Sequence, residues 1–241
     1  MQGMILAAGF GTRLAPYTDN CPKALVPLNN RPLLGYIIDK YIASGITDIV
    51  INAHYLSNQI IDFVKSNNFN AEIKVIVEKD ILGTGGGIFN MLEYITDEDF
   101  FVYNTDVISS IDLKNLMNFH KQNSPLATMV MQDRETFNQV VIDNKEHFCG
   151  LKYVKTGKEI ITKQPVEPYK LLAFSGIHVI NKNIYKYKST EKEFSIISTY
   201  LDAVKNSESI LSYHPDIYWK DVGTIKKLRE AEKYLTSLHQ Q

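Results

Sequence analysis

Across its first 106 residues the chain alternates short apolar runs with amphipathic stretches, and that rhythm restricts the possible folds most. Met4–Ala8, Asp48–Asn52, Ile73–Val77 and Phe100–Tyr103 read as buried strands. After the first, Leu33, Leu34, Ile37, Ile38, Tyr41 and Ile42 recur at helical spacing, with Gly45 placed to end the helix in a left-handed turn. Leu56, Ile60, Ile61 and Val64 mark a second helix, and Gly83–Gly87 opens a third that runs through Ile95. Such alternation predicts a parallel sheet with helices on both faces. Ligands of such sheets bind beyond the carboxyl ends of the strands. The loop after the first strand and Asn104-Thr105-Asp106 after the fourth are then expected on one rim.

After Ser124 the pattern changes. Ala127–Gln132, Val140–Asp143, Leu151–Lys155 and Leu171–Ile180 read as strands without a helix between each pair, so mixed or antiparallel pairing is expected. Helices near Ser195–Val204 and Thr224–Leu235 close the chain. No repeat, low-complexity tract or long linker interrupts residues 1–241, which read as a single domain.

Composition narrows the function classes. A formal net charge of −1 is unlike the cationic surplus of nucleic-acid or membrane-surface binders, so neither partner is expected. No segment approaches the roughly 18 apolar residues of a membrane helix. Cys21 and Cys149 stand far apart in no metal-ligand spacing, which fits a reducing compartment, and a cytoplasmic protein is expected. Monomer and homodimer both remain open.

The first strand empties into Gly9-Phe10-Gly11-Thr12-Arg13-Leu14, and Pro22-Lys23 follows ten residues past Arg13. A Walker A loop needs four residues between its glycines and then Lys-Ser/Thr, which is absent. A dinucleotide loop needs Gly or Ala where Leu14 stands, and an acid where the second strand ends in Asn52. What remains is a turn whose glycines let backbone N–H groups approach phosphate oxygens. Arg13 suits bidentate phosphate contact and Lys23 acts as a compact point charge.

With Leu6, Ala8, Gly9, Gly11, Thr12, Arg13, Leu14, Pro16, Thr18, Pro22, Lys23, Leu25 and Pro27 in register, this stretch resembles the signature of the sugar-1-phosphate nucleotidylyltransferases. Gly83-Thr84-Gly85-Gly86-Gly87-Ile88-Phe89, Ala173–Ile177 and Trp219–Thr224 are similar to later motifs of its short bacterial members, which include N-acetylmuramate-1-phosphate uridylyltransferase. The resemblance implies a three-layer α/β/α sandwich on a Rossmann-like, mostly parallel mixed sheet. Residues 1–123 would then form the NTP-binding half and 124–241 the sugar-phosphate half.

It implies transfer of a nucleotidyl group from an NTP to a sugar 1-phosphate with release of pyrophosphate, UTP with N-acetylmuramate 1-phosphate or a related hexose 1-phosphate being expected. The alternatives are guanylyl transfer to mannose or heptose 1-phosphate and cytidylyl transfer to phosphocholine, which Thr18–Leu25 resembles; a nucleotide-sensing regulator is the non-catalytic reading. The implied nucleotide contacts are Leu6, Ala7, Ala8, Gly9, Gly11, Thr12, Arg13, Lys23, Gly83 and Gly85, with Arg13 and Lys23 catalytic. Asp106 and Asp221 are the implied Mg²⁺ ligands, a pair of hard oxygen donors of the kind this ion takes beside substrate phosphates. Asp221 is read in a turn just before the last helix. Asn104 and Asn138 are the implied substrate contacts, while Thr162-Lys163-Gln164-Pro165 departs from the family's Glu-Lys-Pro sugar motif.

Overall fold

The computed structural model describes residues 1–238. In chain order the strands and helices are β1 (Gln2–Leu6), β2 (Pro27–Leu28), β3 (Arg31–Pro32), α1 (Leu33–Ala43), β4 (Asp48–Ala53), α2 (Ser57–Ser66) and β5 (Glu72–Val77). There follow α3 (Gly83–Met91), β6 (Asp99–Asn104), β7 (Val107–Ser109), α4 (Leu113–Asn123), β8 (Ala127–Gln132), β9 (Asn138–Ile142), β10 (Phe148–Tyr153) and β11 (Glu159–Ile161). The chain closes with β12 (Lys170–Asn181), α5 (Ile196–Lys205), β13 (Ile210–Tyr213), β14 (Trp219–Asp221) and α6 (Ile225–Leu238). The fold is of the expected α/β class, a mixed sheet with flanking helices.

By internal contacts the chain forms two compact units. The first comprises Met1–Ile81, Tyr103–Ile111 and the segment from Ile217 onward; the second comprises Leu82–Val102 and Asp112–Asp216. The units therefore interleave in sequence, where the sequence reading divides the chain once, at residue 123.

In the first unit β1 lies parallel to β4, Gln2 opposite Asp48 through Leu6 opposite Asn52, and β4 lies parallel to β5. All three strands thus end on the same side, at Leu6, Ala53 and Val77. Helix α1 starts after Pro32, whose fixed φ suits a helix entry, and buries Leu33, Leu34, Ile37, Ile38 and Tyr41. It ends at Ser44, followed by Gly45 at φ 82°, as its sequence indicates. Short β7 pairs antiparallel with β14, placing Asp221 opposite Val107. Asp221 is therefore the last residue of a strand rather than part of a turn. Helix α6 packs Leu228 and Ala231 against Leu14, Val26, Leu28, Leu33, Ile108 and Val222, an apolar cluster that supports the loop carrying Arg13 and Lys23.

In the second unit β8 pairs antiparallel with β12 and parallel with β13, while β9 joins β12 to β10 and β10 joins β11. The mixed pairing expected after Ser124 is present. Helix α4 lies where the sequence reading names none. Its N-terminus is capped by Asp112, whose carboxylate accepts the amides of Lys114 and Asn115, and Leu113, Leu116, Met117 and His120 face inward. His178 and Tyr200 are fully buried and share a 2.5 Å hydrogen bond; His120 bridges Thr128 and Asp99.

Candidate active site

The glycine loop leaves β1 under close control. The Leu6 carbonyl accepts both the amide and the hydroxyl of Thr105, at 3.2 and 2.6 Å. The Ala7 amide donates to Asn52 Oδ1 (2.8 Å), and Asn52 Nδ2 donates to Glu78 Oε1 (2.7 Å). Asn52 and Glu78 are almost wholly buried at the ends of β4 and β5. Their role is not visible in the sequence, where Asn52 registers only as the place at which a dinucleotide loop would need an acid. Past this anchor Phe10 stands half exposed, its ring edge-on to His54 at 5.5 Å.

Gly11 is at φ 68°, a conformation that L side chains adopt at a cost. A Cβ there would stand 2.8 Å from the Lys23 Cβ, so glycine is needed for space as well as for torsion. Thr12–Leu14 form a short 3₁₀ turn whose apolar member, Leu14, is buried and leaves Arg13 projecting. A second such turn, Lys23–Leu25, buries Ala24 in the same way and starts at Pro22.

Lys23 Nζ lies 2.5 Å from Asp106 Oδ2, with both side chains largely shielded. Asp106 occupies the turn between β6 and β7, as expected, and its carbonyl accepts the Val222 amide at 2.8 Å. That bond continues the β7–β14 ladder and brings Asp106 beside Asp221. Lys227 Nζ reaches Asp221 Oδ2 at 2.5 Å. A Cβ on Gly223 would meet an Arg13 guanidinium nitrogen at 3.0 Å and Asp221 Oδ1 at 3.4 Å, which places Arg13 at the same turn. Arg13, Lys23, Asp106 and Asp221 are thus brought together in the first unit, with Leu6, Ala7, Ala8, Gly9, Gly11, Thr12 and Asn104 on its loops and strand ends.

Asp106 and Asp221, on neighbouring positions of the β7–β14 ribbon, carry carboxylates, hard oxygen donors of the kind that Mg²⁺ takes. Among the described residues no group of three or more His, Cys, Asp and Glu side chains could hold a metal alone. A divalent ion at Asp106 and Asp221 would therefore draw its other ligands from water and phosphates.

Gly83, Gly85 and Asn138 lie in the second unit. Gly83 has φ 70°, and a Cβ on it would come within 2.5 Å of the Phe194 carbonyl oxygen. The Gly85 amide donates to that oxygen at 2.9 Å, and its Cβ would meet the Phe194 ring at 2.4 Å. These glycines admit another segment of the chain against the start of α3. Asn138 lines a cavity of about 320 Å³ with Arg134, Thr136, Tyr153, Phe174 and Ser195.

Cys21 and Cys149 are unpaired with each other, and burial pushes the Cys149 thiol up to about 11. No helix among the described residues is long and apolar enough to cross a membrane.

A glycine loop, two cations and two carboxylates thus lie on the loops and strand ends of an α/β fold, where the ligands of such sheets bind. The chain belongs to the nucleotidyl transferase family, whose sequence model matches residues 2–237. It is 31% identical over 246 aligned positions to the mannose-1-phosphate guanyltransferase of Aspergillus fumigatus, covering 99% of this chain and 65% of that protein. It is 29% identical to the bifunctional protein GlmU of Methanocaldococcus jannaschii, covering 98% of this chain and 54% of that one. The chain thus spans between about half and two thirds of these relatives. In structure it resembles HddC from Yersinia pseudotuberculosis complexed with GMP-PN (TM-score 0.78, 23% identity, 97% and 99% of the two chains). The inositol-1-phosphate CTP transferase from T. maritima shares the fold as well (TM-score 0.79, 17% identity, 98% and 94%).

Proposed function

We propose that this protein is a sugar-1-phosphate nucleotidylyltransferase, using an NTP and a sugar 1-phosphate to make an NDP-sugar and pyrophosphate. The convergence of Arg13, Lys23, Asp106 and Asp221 around the Gly11 turn carries this reading. A phosphate monoester is an oxyanion near neutral pH and needs no general base. One of its oxygens attacks the α-phosphorus, a new P–O bond forms, and the bond to the β-phosphate oxygen breaks. The barrier lies in bringing anions together and in the charge left on pyrophosphate, so fixed positive groups are what such a site requires.

In this reading Arg13 holds the β- and γ-phosphates and the departing pyrophosphate. Lys23 neutralises the α-phosphate and the incoming sugar phosphate, released from Asp106 as they bind. Backbone amides of Ala8 to Thr12 supply further donors, since the Leu6 carbonyl and Ala7 amide are already engaged. Mg²⁺, held by Asp106 and Asp221, would screen phosphate charge and align the attacking and leaving oxygens. Asn104 and the Asn138 cavity are the proposed sugar contacts, and Gly83 and Gly85 the second nucleotide segment.

Two substrate pairs are supported by different observations. Likeness to mannose-1-phosphate guanyltransferases favours GTP with mannose 1-phosphate. The Gly83–Phe89 motif favours UTP with N-acetylmuramate 1-phosphate. Pyrophosphate release, measured with Mg²⁺, each NTP, a panel of sugar 1-phosphates and phosphocholine, separates them. Turnover with one pair assigns the substrates; nucleotide binding without turnover on any pair would replace the enzyme by a nucleotide sensor.

A further inference from the structure

The last helix brings to the site a cation that no motif announced. Lys227 stands in the first turn of α6, its ammonium 2.5 Å from Asp221 Oδ2. The position opposes ordinary helix electrostatics. A helix N-terminus is its positive end and favours acids, yet the first turn of α6 has no acidic residue and carries both Lys226 and Lys227. Asp221 is the partner that offsets the misplaced charge. With side chains 40% and 22% exposed, the pair is weak enough to exchange partners.

The charges around the two carboxylates do not balance. Asp106 holds Lys23, Asp221 holds Lys227, and the Arg13 guanidinium lies at the Gly223 turn beside Asp221. Three cations facing two carboxylates leave a positive surplus suited to a polyanion. Each lysine holds one oxygen, Oδ2, of its carboxylate, so a divalent ion that takes those oxygens displaces the lysines.

We infer that Lys227 is a placeholder cation: it occupies the Asp221 oxygen in the empty protein, gives it up when a divalent ion arrives, and turns to substrate phosphate. This rests on the nucleotidyl-transfer reading and adds a phosphate-contacting residue to it.

Lys227→Met keeps the apolar stem and removes the ammonium. Binding of Mn²⁺ alone to the substrate-free protein, followed by electron paramagnetic resonance of the free ion, is expected to tighten about threefold in the variant. Its kcat/KM for the NTP or the sugar phosphate falls about tenfold, mainly through KM, and Lys227→Arg restores most of it. A variant with wild-type Mn²⁺ affinity and wild-type KM, altered only in melting temperature, makes Lys227 a mere anchor of α6 and overturns the inference. An Asp221→Asn control separates the two readings. If wild-type protein binds Mn²⁺ no better than Asp221→Asn, the metal assignment itself fails and the placeholder role with it.

Discussion

A single carboxylate tests the metal side most sharply. Asp106→Asn keeps the shape of the turn and the backbone bond to Val222 but removes the charge. Turnover is expected to fall at least about a hundredfold with an unchanged circular dichroism spectrum; near-normal pyrophosphate release would remove Asp106 from the metal site. Lys23→Ala should cost about two orders of magnitude in kcat if the ammonium meets the reacting phosphates, whereas a loss of thermal stability alone would make it a structural tie. At Gly11 a methyl group faces both a left-handed φ and the Lys23 side chain at 2.8 Å. Gly11→Ala is therefore expected to lower kcat/KM by roughly a hundredfold, through displacement of Lys23 by a fraction of an ångström. Steady-state kinetics beside a melting curve measure the two costs separately.

Elements show what a sequence discloses and what it hides. Where apolar spacing and a terminator agree, as from Leu33 to Gly45, helix and stop are both legible. The segment Leu113–Asn123 carried the same information in Asp112 and its inward Leu113, Leu116 and Met117, but lacks a glycine to mark its end; it stops at Ser124 in a left-handed conformation. Three-residue strands such as β7 and β14 are too short for a period-two pattern to register, so Asp221 reads as part of a turn. Arg13 and Lys23 stand in one contiguous motif and Asp106 at a strand exit, so the sequence alone could nominate them as candidates. It could not nominate Asn52, Glu78 and Lys227, because what they do depends on partners brought near by the fold. Close packing at the start of α3 belongs to the same hidden class. Gly85→Ala would drive a Cβ into the Phe194 ring, with an expected loss of about 1–3 kcal/mol. A denaturant midpoint reports it, and Gly85→Ala combined with Phe194→Leu should recover part of the loss; no recovery would locate the cost elsewhere.

For the molecule as a whole, buried histidines contribute to the response to acid. Burial lowers His178 from 6.5 to about 3 and also lowers His120, against the opposing pull of Asp99. Between about 3 and 6.5 the unfolded chain binds a proton at residue 178 that the native chain refuses. Stability is therefore complete above the unfolded value and falls with falling pH, by about 1.4 kcal/mol per pH unit from this one group. His178→Gln, which keeps a polar neighbour for Tyr200, should flatten the melting profile between pH 6.5 and pH 4. An identical slope in the variant would assign the acid sensitivity to other groups.

The pairing of β7 with β14 also has a consequence in time. Asp106 leaves the ribosome on the order of a hundred residues before Asp221, a delay of roughly ten seconds at ordinary synthesis rates. During it β7 has no ladder partner, and Leu14, Val26 and Leu28 await Leu228 and Ala231. The nascent chain is expected to expose that apolar surface to chaperones and proteases until α6 emerges. Protease sensitivity of ribosome-stalled chains, carrying a C-terminal linker long enough to push α6 out of the exit tunnel, is expected to drop once that helix emerges; sensitivity unchanged by its emergence would show that the apolar surface is covered without it.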